Sequence, residues 1–255
     1  MTSLSHLEFD LLWEHLGLGE LPYPLDVAAH GVTMDERAVL RAQVRDSLVA
    51  KGLHDGQNVA PRFEERLAML VRNDFSVDGQ LSVGDHLKVL AAGAGDRGVL
   101  VAQTDDELRV ASVREGRVVP AVIALLPDEK PGPGGPVRLP KAAFDEAVDE
   151  FGRGGYVALE RALAGAGVAG RELRTVITLV ESGRHGGGQL AANRVDRMGR
   201  RRRSPVLNWF DTEAGRYVVY TEVSRDRAEM LTVAPADRGR IEQRLAALVT
   251  GLEIE

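Results

Sequence analysis

The sequence predicts an α+β protein in which helices precede an antiparallel meander, and then do so a second time. Three observations predict it. Between residues 75 and 126, short apolar runs alternate with turn signals at 93–98, 104–107 and 114–116. These connections are too short for crossover helices, so the strands pair antiparallel. Between 206 and 223 the pattern returns. Val206, Leu207, Trp209 and Phe210 lie on one side of a turn at 212–215, and Tyr217, Val218, Val219 and Tyr220 on the other. Each strand-rich stretch follows amphipathic helical periodicity, and a Pro- and Gly-rich stretch at 131–136 lies between them. No residue-level repeat accompanies the doubling. It is one of architecture and predicts a pseudo-symmetric molecule. The expected halves are residues 1–126 and 137–255, joined by a linker or mobile loop at 127–136.

Taken in order, residues 4–18 are apolar at 4, 7, 11, 12, 16 and 18, with Phe9 and Trp13 between. That fits a strand running into a short helix, or a helix throughout. The GLGELPYP segment at 17–24 is a break whose PxP ending favours extended backbone. Residues 33–52 read as a helix. Thr33 and Glu36 make a capping box, Leu40, Val44 and Leu48 recur every fourth residue, and Gly52 suits the position just past the end. Pro61 opens a second helix with Phe63, Leu67, Leu70 and Val71 on one face. The meander's apolar runs are 87–92, 99–103, 108–113 and 118–126. Pro140 starts a helix that Gly152 closes, and two more are expected over 156–164 and 171–180. Strands follow near 188–196, 206–211, 216–223 and 230–233. Pro235 then begins a terminal helix with an apolar stripe at 241, 245, 248, 249 and 252.

With 44% apolar residues in 255, there is ample material for a core. The chain has no cysteine, which excludes disulfides, thiolate metal sites and a cysteine nucleophile, and suits a reducing compartment. The N-terminal stretch carries Glu8, Asp10 and Glu14 and lacks the basic start of a signal peptide. No apolar run reaches the roughly 20 residues that span a bilayer, so a cytoplasmic location without membrane insertion is expected. Net charge is −6, with the acidic excess confined to the first hundred residues. A general nucleic-acid binder usually carries a basic surplus.

The motifs that could carry chemistry fail on their context. Gly93-Ala-Gly95-Asp96-Arg97-Gly98 matches GxGxxG, but a dinucleotide site needs a helix to begin there, and Val99–Ala102 suits a strand. A mobile hairpin tip is the expectation. The HGGG at 185–188 resembles an oxyanion loop, yet no serine sits in a GxSxG elbow. There is no P-loop, and no two of the six histidines share helical metal-ligand spacing. No catalytic residue, metal or cofactor is therefore expected, and the chain reads as a binding protein. The stretch from Arg194 to Arg203, with Arg197 and the run at 200–203, offers an alternative. Beside Trp209 and Phe210 it could be a nucleic-acid-binding or regulatory surface. Arginines standing in solvent are the plainer reading, and a protein contact comes between the two.

Several segments taken together resemble one family. They are LEFDLLWEHLGLGELPYPL at 7–25, TMDERAVLRAQVRDSLVAKGL at 33–53, GGGQLAANR at 186–194, FDTEAGRY at 210–217 and APADRGRIEQRLAALV at 234–249. Their order and spacing are similar to the EspG family of type VII (ESX) secretion-associated proteins of actinobacteria. The resemblance implies a quasi-two-fold central antiparallel β-sheet flanked by helical bundles, in a single domain. It implies a cytosolic chaperone that binds a PE/PPE-like helical heterodimer, shields its apolar tip and keeps it soluble for export. It also implies a binding surface made of a loop between two early strands, the central sheet and the C-terminal bundle. On this chain those regions are Gly95, Asp96 and Arg97 in the loop, Leu173, Val176, Ile177 and Val180 on the bundle, and Gln189 and Arg194 on the sheet. The four aliphatics also read as plain core. An unpaired sheet edge would favour a homodimer.

Overall fold

Local signals set most helix starts. Ser5 and Glu8 form a reciprocal capping box at the head of α1 (His6–His15), directly after strand β1 (Thr2–Ser5). Thr33 and Glu36 form the expected box on α2 (Met34–Ala50), and Gly52 takes a positive φ just past its end. Pro61 is the first residue of α3 (Pro61–Met69). The computed structural model describes residues 1–196, 198–224 and 226–252. Arg197 and the last three residues of the expected second half lie outside these.

The first meander is β2 (Phe75–Val83), β3 (Asp85–Ala94), β4 (Arg97–Gln103) and β5 (Glu107–Arg114). The second is β7 (Arg184–Val195), β9 (Leu207–Thr212), β10 (Gly215–Val223) and β11 (Glu229–Pro235). Two short strands were not expected from the sequence: β6 (Val137–Pro140) on β11, and β8 (Arg201–Arg203) on β7. All pair antiparallel into one sheet, ten of them in the order β1-β5-β4-β3-β2-β7-β9-β10-β11-β6, with β8 off this path on β7. Read outward from the β2–β7 seam, each half runs through its four meander strands and ends on its own first strand. This is the quasi-two-fold relation, and it makes β2 and β7 the centre of the molecule.

The sheet is covered unequally. Cross-strand partners share a face and successive residues alternate, so the register assigns every side chain to one side. One face carries Val77, Leu81, Val89, Leu190, Leu207, Trp209 and Val218. It is roofed across its centre by α4 (Val118–Ile123) and α7 (Arg238–Gly251). The other face is covered only toward its ends. Leu90, Val99, Val101, Leu108 and Val110 pack beneath α1, α2 and α3. Val137, Leu139, Phe210, Tyr217, Leu231 and Val233 pack beneath α5 (Lys141–Gly165) and α6 (Gly170–Glu181).

Three expectations are corrected. Residues 118–126 are not the last meander strand but helix α4 and its exit. Val118, Val122, Ile123 and Leu126 are all buried at helical spacing, and Pro120 sits in the first turn, where its missing N–H costs nothing. A continuous apolar run carries no period that separates the two readings. The helix from Pro140 ends as expected within two residues of Gly152: the backbone is non-helical at Gly154 and Gly155, and a second helical stretch of α5 follows to Gly165. The terminal helix begins at Arg238 behind the Asp237 cap rather than at Pro235, which still pairs in β11. The segment at 127–136 is not a mobile loop. Arg216 N donates to Lys130 O at 2.8 Å, Gly132 N donates to Arg216 O at 3.0 Å, and Tyr217 Oη donates to Pro133 O at 2.9 Å. Gly132 and Gly215 make this contact sterically feasible. A Cβ at Gly132 would stand 2.1 Å from the Tyr217 ring, and one at Gly215 would stand 2.7 Å from Lys130 O.

Candidate functional site

The gap between the two helical groups leaves a strip of sheet uncovered at the β2–β7 seam. In register across it lie Lys88, Gln80, Gln189, Asn208 and Val219. Three successive strands thus present a carboxamide, each with two N–H donors and one acceptor. Among the described residues, Gln80 has a side-chain partner, the Tyr23 hydroxyl at 3.1 Å, whereas the side chains of Gln189 and Asn208 have none. Next to this row, Gly186, Gly187 and Gly188 let β7 lie close to its neighbours. A Cβ at Gly187 would stand 3.0 Å from Trp209 O, and one at Gly188 would stand 2.7 Å from Gln80 O. Above the glycines a cleft of about 590 Å³ opens between Ser82, His185, Asn208 and Phe144 of α5. The Arg184 guanidinium lies 4.4 Å from the centre of the Phe210 ring at its edge.

One end of the strip rests on a polar cluster. Asp78 is buried and accepts from Arg203 through both oxygens, with Nη2–Oδ1 at 2.8 Å. Asn193 Nδ2 donates to the same carboxylate at 2.6 Å, and its own oxygen accepts from Arg203 at 3.2 Å. The Asp78 carboxylate raises the Arg203 pKa above its ordinary value, against the opposing effect of burial, so this cation is permanent. Its guanidinium faces the Tyr23 ring at 5.5 Å.

The structure does not gather the sequence-predicted residues into one place. Gly95 and Asp96 form the β3–β4 hairpin tip and Arg97 begins β4, with Gly95 at φ +60°. This tip is tied down, since Gly95 N donates to Asp74 Oδ2 at 3.1 Å and Arg97 pairs with Glu65 of α3. A strand, not a helix, follows Gly98, which removes the basis for the dinucleotide reading. Arg194 lies in the register row of Phe75 and Gly93, near that tip and on the face opposite Gln189. Of the α6 aliphatics, Val176 is buried in the C-terminal core, and Leu173, Ile177 and Val180 pack partly against it. Only Gln189 stands on the open strip. The basic run is mostly engaged: Arg200 Nε pairs with Asp196 at 2.9 Å and Arg203 with Asp78. Sequence reading passed over Tyr23, Gln80 and Asn208. For the two amides a signal existed, since both sit at polar positions of strands with buried neighbours. For Tyr23 there was none.

No curated protein matches the chain. Among solved structures, it is similar to the Mycobacterium tuberculosis type VII secretion system chaperone EspG5, determined in complex with the PE25–PPE41 dimer. The identity is 17%, the TM-score is 0.72, and the match covers 97% of this chain and 95% of that one. The likeness extends to the whole architecture, with one antiparallel sheet through both halves. The family model described as the EspG family matches residues 5–247, from the α1 cap to the last turns of α7. By that match the chain belongs to the EspG family.

Proposed function

We propose that this protein is a type VII secretion chaperone that seats the tip of a PE/PPE-type helical dimer on the open strip of its sheet. The carrying observation is the uncovered carboxamide row of Gln80, Gln189 and Asn208 at the centre of a sheet otherwise roofed on both faces. A folded protein that leaves the Gln189 and Asn208 amides without side-chain partners among the described residues, in a gap between two helical groups, offers oriented hydrogen bonds to a partner. The mechanism is steric and requires no chemical step. Covering the client's apolar tip removes the surface that would aggregate, and release returns it for export. Such a task belongs in the cytoplasm. No helix among the described residues is long and apolar enough to cross a membrane. The single sheet spanning both halves supports reading residues 1–126 and 137–255 as one domain.

Co-expression with the PE/PPE-type pair encoded nearest its gene tests the reading. A soluble ternary complex that survives gel filtration is expected. Asn208→Trp, which fills the strip with an indole, should abolish it while the chaperone stays folded. A wild-type protein that leaves the pair insoluble and uncaptured would overturn the proposal.

A further inference from the structure

We infer that Tyr23 is the aromatic anchor of the client site, held ready by the Arg203–Asp78 pair. This inference rests on the proposed function and names the residue that sets its affinity. Tyr23 is half exposed, at 51%, although aromatic residues in this chain are scarce and mostly buried. It is nonetheless ordered from three directions. Its hydroxyl accepts from Gln80 in the carboxamide row. Its ring faces Arg203, which is locked to buried Asp78. Its backbone is followed by buried Pro24 and Leu25. The same segment is clamped onto the sheet where Asp26 N donates to Gln103 Oε1 at 3.0 Å and Gln103 Nε2 donates back to Asp26 O. An exposed ring that loses little freedom on binding is the kind of side chain that dominates protein interfaces.

The surrounding chemistry indicates what meets it. The row beside the ring carries Lys88 and three carboxamides and no carboxylate. Lys88 is partly neutralised by Asp26 at 3.1 Å. N–H donors beside an apolar ring suit the C-terminal end of a client helix. There the last carbonyls lack intrahelical partners and carry partial negative charge, next to an apolar side chain of the tip. The plainer role for Tyr23 would be to shelter the Asp78–Arg203 pair from water, in which case its loss would affect folding and not binding.

The test uses the full-length protein and the co-expressed PE/PPE-type pair, with affinity and melting temperature read for each variant. Tyr23→Ala should weaken the complex about tenfold or more and leave the melting temperature near that of the wild type. Tyr23→Phe keeps the ring, loses the Gln80 bond, and should cost about threefold. Tyr23→Glu gives Arg203 a new carboxylate partner, so the fold is preserved, yet it should bind worse than Tyr23→Ala because it faces a helix C-terminus. A Tyr23→Ala protein that melts several degrees lower but binds with wild-type affinity would overturn the inference in favour of the sheltering role. So would Tyr23→Glu binding as well as wild type. A wild-type protein that captures no such pair would sink the proposed function and this inference together, whereas wild-type capture with indifferent Tyr23 variants sinks this inference alone.

Discussion

Two aspartate–arginine pairs lie on the same sheet, one on each face, and they show what separates a fold element from a site. On the roofed face, Arg216 meets Asp211 through Nε at 2.7 Å and Nη2 at 2.9 Å. Both side chains are sealed, at 0% and 2% exposure. The guanidinium also lies 4.6 Å from the centre of the Trp209 ring. On the open face, Arg203 meets Asp78, with the aspartate at 4% and the arginine at 43%. Both pairs are bidentate, side-on through Nε and Nη2 in the first and end-on through both Nη atoms in the second, but only the second has a side that faces outward. The first joins β9 to β10 while the backbone of Arg216 holds residues 130–132. It therefore belongs to the packing of the second half. The second orders a surface residue.

Breaking the sealed pair should give the largest effect. Arg216→Leu leaves the Asp211 carboxylate buried without its cation, which costs about 3–5 kcal/mol. It also removes the ring contact to Trp209. Denaturant unfolding should show the loss, while the fraction that remains folded should bind the client normally. If Arg216→Leu is as stable as wild type, the contrast between the two faces fails.

Breaking the open pair should give less in stability and more in binding. Arg203→Ala leaves Asp78 with Asn193 as donor and with access to solvent, so about 1–2 kcal/mol of stability is expected to go. Client affinity should fall as well, because Tyr23 loses the cation that faces its ring. Equal affinity in the Arg203→Ala and wild-type proteins, by titration calorimetry, would remove the functional half of the comparison.

The unequal legibility of these two pairs in the sequence has a physical cause. Asp211 and Arg216 sit within FDTEAGRY, five residues apart across a tight turn, so a local hairpin already implies that they meet. Asp78 and Arg203 are 125 residues apart and meet only because β2 pairs with β7 and β7 with β8. The β2–β7 pairing has no local signature; β8 follows β7 directly, with Asp196 accepting from the Met198 and Arg200 amides, yet the run at 200–203 read as a solvated loop because alternating burial cannot be seen in four identical arginines. The same limit explains the site. Alternation and turn residues placed Gln189 on a strand, but which face stays open depends on where α1–α3 and α5–α6 pack. The four α6 aliphatics had the right period for a helix face, yet period alone cannot say whether that face meets a client or its own core. The break at Gly154 and Gly155 was legible by contrast, since clustered glycines mark a helix end without any tertiary context.

A third charged pair, in the first half, extends the comparison to pH. Glu8 of α1 is almost buried, at 7%, and Lys51 at 37% reaches it. Burial pushes the Glu8 carboxyl upward, but this is outweighed by Lys51, by Ser47 and by the Ser5 amide, which together hold it below its ordinary 4.5. A carboxyl lowered in the folded state adds stability that is present above the unfolded value and lost as pH falls through the folded one. Glu8→Gln should thus cost about 1 kcal/mol near neutral pH, and the gap to wild type should close on acidification below 4.5. A gap that stays constant down to the acid transition would mean that Glu8 contributes only by packing.

The smallest effect is expected at Arg200, and it bears on the basic run itself. Arg200 pairs with Asp196 at 2.9 Å, and its side chain is 74% exposed. An ion pair so open to water gains little, because solvent screens the attraction and two long side chains lose freedom to make it. Arg200→Ala should change stability by less than about 0.5 kcal/mol. It should leave client affinity alone too, because Arg200 faces neither Tyr23 nor the carboxamide row. A tenfold loss of client binding in Arg200→Ala would move the site from the β2–β7 seam toward the β7–β8 turn. The same loss, appearing only at low salt, would mark long-range steering of an acidic client by the arginines and leave the seated contact at the seam.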